Sequence, residues 1–553
     1  MKKNVIIAGV ALICALTLSS AEPRYDLLVR GGTVIDGTGR PGFQADVGIR
    51  DGKIVFVGKS SVPASQTIDA TGLVVAPGFI DPHNHVPDSV REVKGAIFNE
   101  GFVTQGVTTI VGGPDGRFSP NQMRATIQRF QNNGITTNYA LYIGHNGIRS
   151  EVMGSAQRPP TAIELEKMKA LVREGMQMGA VGLSTGLMYE PGMFSKTDEV
   201  VALTAEVKPF GGIYDSHVRD PAFHFLESDA EAIQIGQEAG VPVKIAHEKA
   251  VGLQNKGRIR DVIQMVAKER AAGRNVVTDQ YPYDGAETTT LDRLIVVRDP
   301  QTGERRDLSY AEVQQALKDT ANRDGIRETS EHGIGGGFSW IKAVGYGSMR
   351  IVDAHDFPTL VGKNLELLAG ERHQPPFDLV ADLIERNSNP IMITLGSVEE
   401  EDVRALLVQK WDMIGSDGKY VGRDVQTSDH PRSTGTFTRV LGVYVRELHL
   451  LSLPEAVAKM TSQPADFLGL TDRGRVQPGE AADITIFDPK TVGAHSTWTD
   501  PHAFSEGIID VIVNGTPVLL KGKLTSATPG VYIKRLAPTA GLAGSKALIR
   551  SGR

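Results

Sequence analysis

Hydrophobic and polar positions change rhythm twice along the chain. Near the start they form short β-type runs, Tyr25–Arg30, Thr33–Ile35, Ala45–Arg50, Lys53–Val57 and Thr67–Asp69, parted by turn residues such as Asp51-Gly52. A matching set returns at the far end: Asp483–Phe487, Ile508–Val513, an Asn514-Gly515 turn, Val518–Leu520 and Val531–Ile533. Two strand-rich ends around a different middle predict one small β-sandwich domain assembled from residues 22–73 and 470–540.

The middle, residues 74–469, alternates. Apolar runs end at Val74–Ile80, Val107–Val111, Tyr139–Ile143, Val181–Ser184, Gly212–Asp215, Val241–Ala246 and Asn275–Asp279. Helical patterns such as Ala162–Gly175, Thr197–Glu206, Asp229–Ala239 and Arg258–Ala271 lie between them. The strand-to-strand interval is about 30 to 40 residues, the size of a βα unit. An eighth run, Trp411–Gly415, follows a helix opened by the capping-box pattern Ser397-Val398-Glu399-Glu400. The fold class is therefore α/β, a (β/α)8 TIM-type barrel carrying an inserted lid segment at about 285–390. Ile391–Leu395 also reads as a strand, which leaves two candidates for the seventh position.

Composition narrows the classes. Hydrophobic residues make up 40% and charged residues 22% of 553, enough for a large core and against wholesale disorder. A formal charge of -6 lacks the basic footprint of a nucleic-acid binder. Gly333-Ile334-Gly335-Gly336-Gly337 has no P-loop lysine and reads as part of the lid. At the start, Lys2-Lys3, the apolar run Val5–Leu18 and Ser19-Ser20-Ala21 describe a signal peptide over residues 1–21, and hence export to the periplasm. No later segment is long and apolar enough for stable membrane insertion of the mature chain. Cys14, the only cysteine, falls inside the signal, so the mature chain carries no thiol for a disulfide or a metal.

The chemistry sits at strand ends. His83 and His85 follow the first run, and in an extended segment residues two apart point the same way, so both imidazoles can meet one ion. His217 ends the fifth run, His247 the sixth and Asp417 the eighth. A barrel brings those ends to one face, where such folds build active sites. Any one histidine there could be an ordinary hydrogen-bonded residue; four with an aspartate at barrel spacing predict a metal site. Nitrogen and carboxylate donors suit Zn2+ best, with other divalent metals possible.

Several segments carry a family resemblance: Pro77-Gly78-Phe79-Ile80-Asp81-Pro82-His83-Asn84-His85, Gly106-Val107-Thr108-Thr109, Gly182-Leu183-Ser184-Thr185-Gly186-Leu187, His217-Val218-Arg219-Asp220, Tyr281-Pro282-Tyr283, Ile414-Gly415-Ser416-Asp417-Gly418 and His430-Pro431-Arg432. With its flanking β domain the chain resembles the amidohydrolase superfamily, and within it the N-acyl-D-amino-acid deacylases (D-aminoacylases). The resemblance implies one metal position at His83, His85 and Asp417 and a second at His217 and His247. Typical D-aminoacylases place a metal-holding cysteine after the second strand; here Asp115 falls at or next to that place, as a bridging carboxylate or as an ordinary Pro-Asp-Gly turn residue.

The implied reaction is hydrolysis of N-acyl-D-amino acids by metal-activated water, one or two zinc ions taking part, with Asp417 passing the proton to the leaving nitrogen. Arg432 would clamp the substrate carboxylate, and Tyr189, Tyr283 and His145 would line the substrate site. The partner is a small N-acyl amino acid or short peptide, with no nucleic acid. Two other readings stay open: an exported dipeptidase or cyclic-amide or lactone hydrolase, and a solute-binding barrel without catalysis.

Overall fold

The computed structural model describes residues 24–535 apart from 91, 92, 302, 304, 307, 424, 426, 428 and 429; the signal segment 1–21 lies outside the described residues. Both strand-rich ends enter one nine-stranded sheet. Tyr25–Val34 pairs antiparallel with Phe43–Arg50, which pairs with Lys53–Gly58. Ala64–Asp69 and Val74–Pro77 run parallel to the two halves of Tyr25–Val34, which is bulged between Val29 and Gly32. The halves of the chain join where Val74–Pro77 lies antiparallel to Ile484–Phe487, and Ile508–Val513, Thr516–Leu520 and Lys523–Leu524 extend the sheet. A bridge from Lys53 to Ala481 curls the sheet over on itself. Val29, Val47, Ile54, Val75, Ile484 and Ile512 fill the enclosed core. Val531–Ile533 forms no named strand; Tyr532 bridges to Tyr139 instead.

The barrel strands are Phe79–Asp81, Val107–Gly112, Asn138–Leu141 continued by Ile143–Gly144, Gly182–Gly186, Ile213–His217, Val243–Ile245, Val276–Gln280 and Asp412–Ile414. Neighbours pair in parallel throughout. The eighth returns to the first through the parallel bridge Asn84–Gly418, where Asp417 N donates to the His83 carbonyl (2.9 Å) and His85 N to the Gly418 carbonyl (2.8 Å). Helices cross between strands as the spacing predicts. Ala162–Gln177 is typical: a capping box of Thr161 with Glu164 starts it, and its buried positions Met168, Val172, Gly175 and Met176 recur at helical spacing.

Three expectations are corrected. The run Val74–Ile80 is two strands, Val74–Pro77 in the curled sheet and Phe79–Asp81 in the barrel, so the domain junction falls at Gly78 rather than at residue 74. A Cβ there would lie 2.1 Å from Thr108 Oγ1, which leaves room only for glycine. The second candidate for the seventh barrel strand belongs elsewhere: Met392–Gly396 is the middle strand of an antiparallel sheet with Gly285–Thr290 and Met349–Asp353, and the insertion runs on to it. The helix before the eighth strand is Glu400–Leu407, capped at Glu399 rather than Ser397. No described helix is long and apolar enough to cross a membrane.

Candidate metal centre and active site

The barrel's C-terminal rim brings the six predicted metal residues together. Asp115 lies at the middle of them. Its Oδ1 is 3.6 Å from His83 Nε2, from His217 Nδ1 and from His247 Nε2, and its Oδ2 is 3.4 Å from His85 Nε2. Asp417 Oδ1 approaches the same pair from the eighth strand, 3.5 Å from His83 Nε2 and 3.1 Å from His85 Nε2. His217 Nδ1 and His247 Nε2 face each other at 2.8 Å. These atoms form three overlapping groups, each able to hold an ion: His83 with His85 and Asp115, His83 with His247 and Asp417, and Asp115 with His217 and His247.

The donor set fits divalent cations on its own evidence. Both ring nitrogens of His83, Asp115 Oδ1 and His217 Nε2 are buried without a hydrogen-bond partner among the described residues. A buried polar atom left unpaired costs about 1–3 kcal/mol, and two of these, His83 Nε2 and Asp115 Oδ1, face each other at 3.6 Å, a gap that a shared guest would satisfy. The backbone gives the same indication. Asp115, His247 and Asp417 hold φ of 56°, 37° and 51°, the left-handed region that side chains seldom adopt and that gathers at functional sites.

The deacylase-like motifs explain how the rim is held. Ser184 Oγ accepts from Gly116 N (3.1 Å) and donates to the Gly113 carbonyl (2.7 Å), pinning the loop that carries Asp115. Gly186 packs against that loop so closely that a Cβ would sit 2.5 Å from the Asp115 carbonyl oxygen. Asp81 accepts from Ser416 N (2.9 Å), tying the His83 strand to the Asp417 strand. Inside the barrel the Lys244 ammonium lies 3.0 Å from Asp215, contacts Asp279 and donates to the Pro82 carbonyl (3.1 Å). Asp279 in turn accepts from His247 N at 2.5 Å. Burial opposes the charge on Lys244, yet Asp215 and Asp279 hold its pKa well above the ordinary value.

Electrostatics set the two acids of the rim alike. Burial works against both carboxylates, but Arg432 and the imidazoles hold Asp417 well below the usual carboxylate range, and His217 with its neighbours does the same for Asp115. Arg432 Nη1 is 2.8 Å from Asp417 Oδ2, and its guanidinium lies over the Tyr281 ring at 4.8 Å. Burial and the nearby Lys249 push His247 well below its ordinary value, which favours the neutral, ligating imidazole. Lys249 Nζ is 2.9 Å from His247 Nδ1.

A cavity of 260 Å³ opens beside these groups, bordered by Tyr189 and Arg432 as expected. Tyr189 lies against His217, ring centroids 4.6 Å apart. Two substrate-site expectations are corrected. His145 is fully buried with Nε2 3.0 Å from Glu199, which also pairs with Arg149; it starts the helix His145–Met153 and does not border the cavity. Its neighbour Asn146 does the local work, donating to the Gly186 carbonyl at 2.9 Å. Tyr283 packs edge-on against His430 and donates to the Pro431 carbonyl (3.3 Å), bracing the His-Pro-Arg segment from outside the cavity. Arg117, Lys249, Lys419, Glu287 and Trp340 border the cavity without having been singled out for it. Arg117 and Lys419 lie two residues past Asp115 and Asp417, so the strand-end rule could have found them. Glu287 and Trp340 come from the insertion, where no rhythm marks them.

An eight-stranded barrel with histidines and carboxylates crowded on its C-terminal rim defines the class of metal-dependent barrel hydrolases. Residues 360–519 match a profile described as Amidohydrolase family. Over 546 residues the chain is 32% identical to D-aminoacylase from Alcaligenes xylosoxydans xylosoxydans, covering 94% of this chain and 100% of that one. Among solved structures it resembles N-acyl-D-glutamate deacylase from Bordetella bronchiseptica, complexed with zinc and a phosphonate inhibitor, at a TM-score of 0.73 and 28% identity, over 93% of this chain and 100% of that one. It also resembles a D-aminoacylase described with a binuclear metal centre, at a TM-score of 0.72 and 31% identity, over 92% and 100% of the two chains. The chain belongs to the D-aminoacylase (N-acyl-D-amino-acid deacylase) family of amidohydrolases, and is a hydrolase acting on linear amide bonds.

Replacing Asp115 tests the middle of the cluster. Asp115→Ala is expected to fold but to retain fewer zinc ions per chain than the native protein, read by metal analysis after dialysis; unchanged stoichiometry would reduce Asp115 to a turn residue.

Proposed function

We propose that this protein removes the acyl group from N-acyl-D-amino acids, using one or two zinc ions held by His83, His85, Asp115, His217, His247 and Asp417. The observation that carries the reading is the Asp115 carboxylate set within 3.6 Å of four imidazoles. A carboxylate offers two oxygens and can contact two cations, which suits Asp115 to the middle of the cluster. When bound, a divalent cation supplies two things: it lowers the pKa of water from about 15.7 to around 7, and it polarises the carbonyl to be attacked.

The protein's own groups do the rest. Asp417 accepts the proton of the attacking water and returns it to the departing nitrogen. Arg432 keeps that carboxylate turned toward the site through its 2.8 Å contact and, with Lys249, offers positive charge to the substrate's α-carboxylate. Lys249 is thus added to the residues expected at the substrate. The rim imidazoles are held in place by backbone and carboxylate contacts, so little reorganisation is needed at the moment of reaction.

Chelation of the purified protein is expected to abolish release of acetate from N-acetyl-D-amino acids, zinc to restore it, and the N-acetyl-L-forms to remain uncut. Cleavage confined to L-substrates, dipeptides or cyclic amides would move the protein to one of the neighbouring activities. The working location we propose is the periplasm, supported by Lys2-Lys3 and the apolar run after them; recovery of the processed chain only from the cytoplasmic fraction would refute it.

A further inference from the structure

Among the charged side chains bordering the cavity, most have evident partners or uses. Asp115 and Asp417 belong to the histidine cluster, Arg432 and Lys249 suit a substrate carboxylate, and Arg117 lies 3.9 Å from Asp88. Lys419 adds a further cation beyond Asp417. Glu287 is different. It is the one carboxylate outside the histidine cluster among the described residues lining the cavity, and it makes no ion pair among them.

Its position is set by the insertion. Glu287 and Thr289 lie two apart on the strand Gly285–Thr290, so they share the face turned to the cavity. Arg432 and the hydroxyls of Tyr189 and Tyr281 all feel the Glu287 charge. An anion beside the seat of a substrate carboxylate opposes binding of a purely anionic substrate. It becomes favourable when the substrate also brings a positive charge. Trp340, Tyr189, Val251 and Pro221 line the same space with apolar and aromatic surface, which suits a methylene stem and attracts a cationic head.

The geometry points to Glu287 as the selector of the substrate side chain: the site takes N-acyl-D-amino acids whose side chain ends in a cation, such as those of D-lysine, D-ornithine or D-arginine, and disfavours acidic ones. This deepens the deacylase reading and rests on it.

The test compares kcat/KM of the zinc-loaded protein on N-acetyl-D-lysine, N-acetyl-D-leucine and N-acetyl-D-glutamate, each with the native chain, Glu287→Gln and Glu287→Lys. The native protein is expected to prefer the lysine substrate. Glu287→Gln should lower the lysine-to-leucine ratio about 10-fold or more, the weight of a charge-assisted contact. Glu287→Lys should turn the preference toward glutamate. A native preference for leucine or glutamate, or a ratio unmoved in both variants, would overturn this inference alone. Failure of the native protein to cleave any of the three would overturn the deacylase reading and this one with it.

Discussion

Asp417→Asn is expected to fold, to keep its metal and to lose about 10²- to 10⁴-fold in kcat, the contribution typical of a positioned proton carrier. The amide matches the carboxylate in shape. Its oxygen can still accept from Arg432 Nη1, now 2.8 Å from Asp417 Oδ2, and can still approach His85 Nε2, now 3.1 Å from Oδ1. What it cannot do is take up a proton and release it again. The loss should therefore appear in kcat with KM little changed, the pattern of an interaction made only on the way to the transition state. Metal content and the melting midpoint serve as controls. Turnover equal to that of the native protein would take the proton-carrier role away from Asp417.

Lys244→Met is expected to cost about 3–5 kcal/mol of stability, the usual result of stripping the counter-charge from a buried pair. Here two carboxylates, Asp215 and Asp279, would be stranded in the barrel interior, each fully buried with Lys244 between them. The damage should also reach the rim. Lys244 holds the Pro82 carbonyl, one residue before His83, and Asp279 holds His247 N. Weaker zinc retention should therefore accompany the lowered denaturant midpoint. Removing all three charges together, as Lys244→Met with Asp215→Asn and Asp279→Asn, is expected to recover part of the lost stability. A single variant as stable as the native protein would mean the interior triad contributes little.

The rim was legible in the sequence because parallel strands leave a regular signature. Each buried strand reads as a short apolar run, and the polar residues one to three positions after it fall at the barrel mouth; that rule places His83, His217, His247 and Asp417. Asp115 lay four residues past the second run, and only the fold could show whether its turn faced the four imidazoles. Where the rule stopped working, the reasons are physical. Val74–Ile80 reads as one strand since nothing in its apolar pattern marks Gly78 as the residue that passes between two sheets. Met392–Gly396 has the composition of a barrel strand, because burial on both faces looks the same in an antiparallel lid sheet. His145 and Tyr283 sit beside strand ends too, but their side chains are claimed by Glu199 and by the Pro431 carbonyl. Glu287 and Trp340 arrive at the cavity by tertiary packing of the insertion, and one sequence carries no trace of that approach.

The seam between Val74–Pro77 and Ile484–Phe487 has a bearing on how the molecule comes into being. The inner edge of the N-terminal strands finds its mate about four hundred residues downstream. A chain emerging N-terminus first that has delivered the eighth barrel strand still leaves that edge bare, and the first histidine-bearing strand, joined to it through Gly78, has one anchor instead of two. Metal loading should accordingly be a late event in biosynthesis, following completion of the C-terminal strands. Chains arrested before Ile484 are the ones expected to aggregate through the uncovered edge.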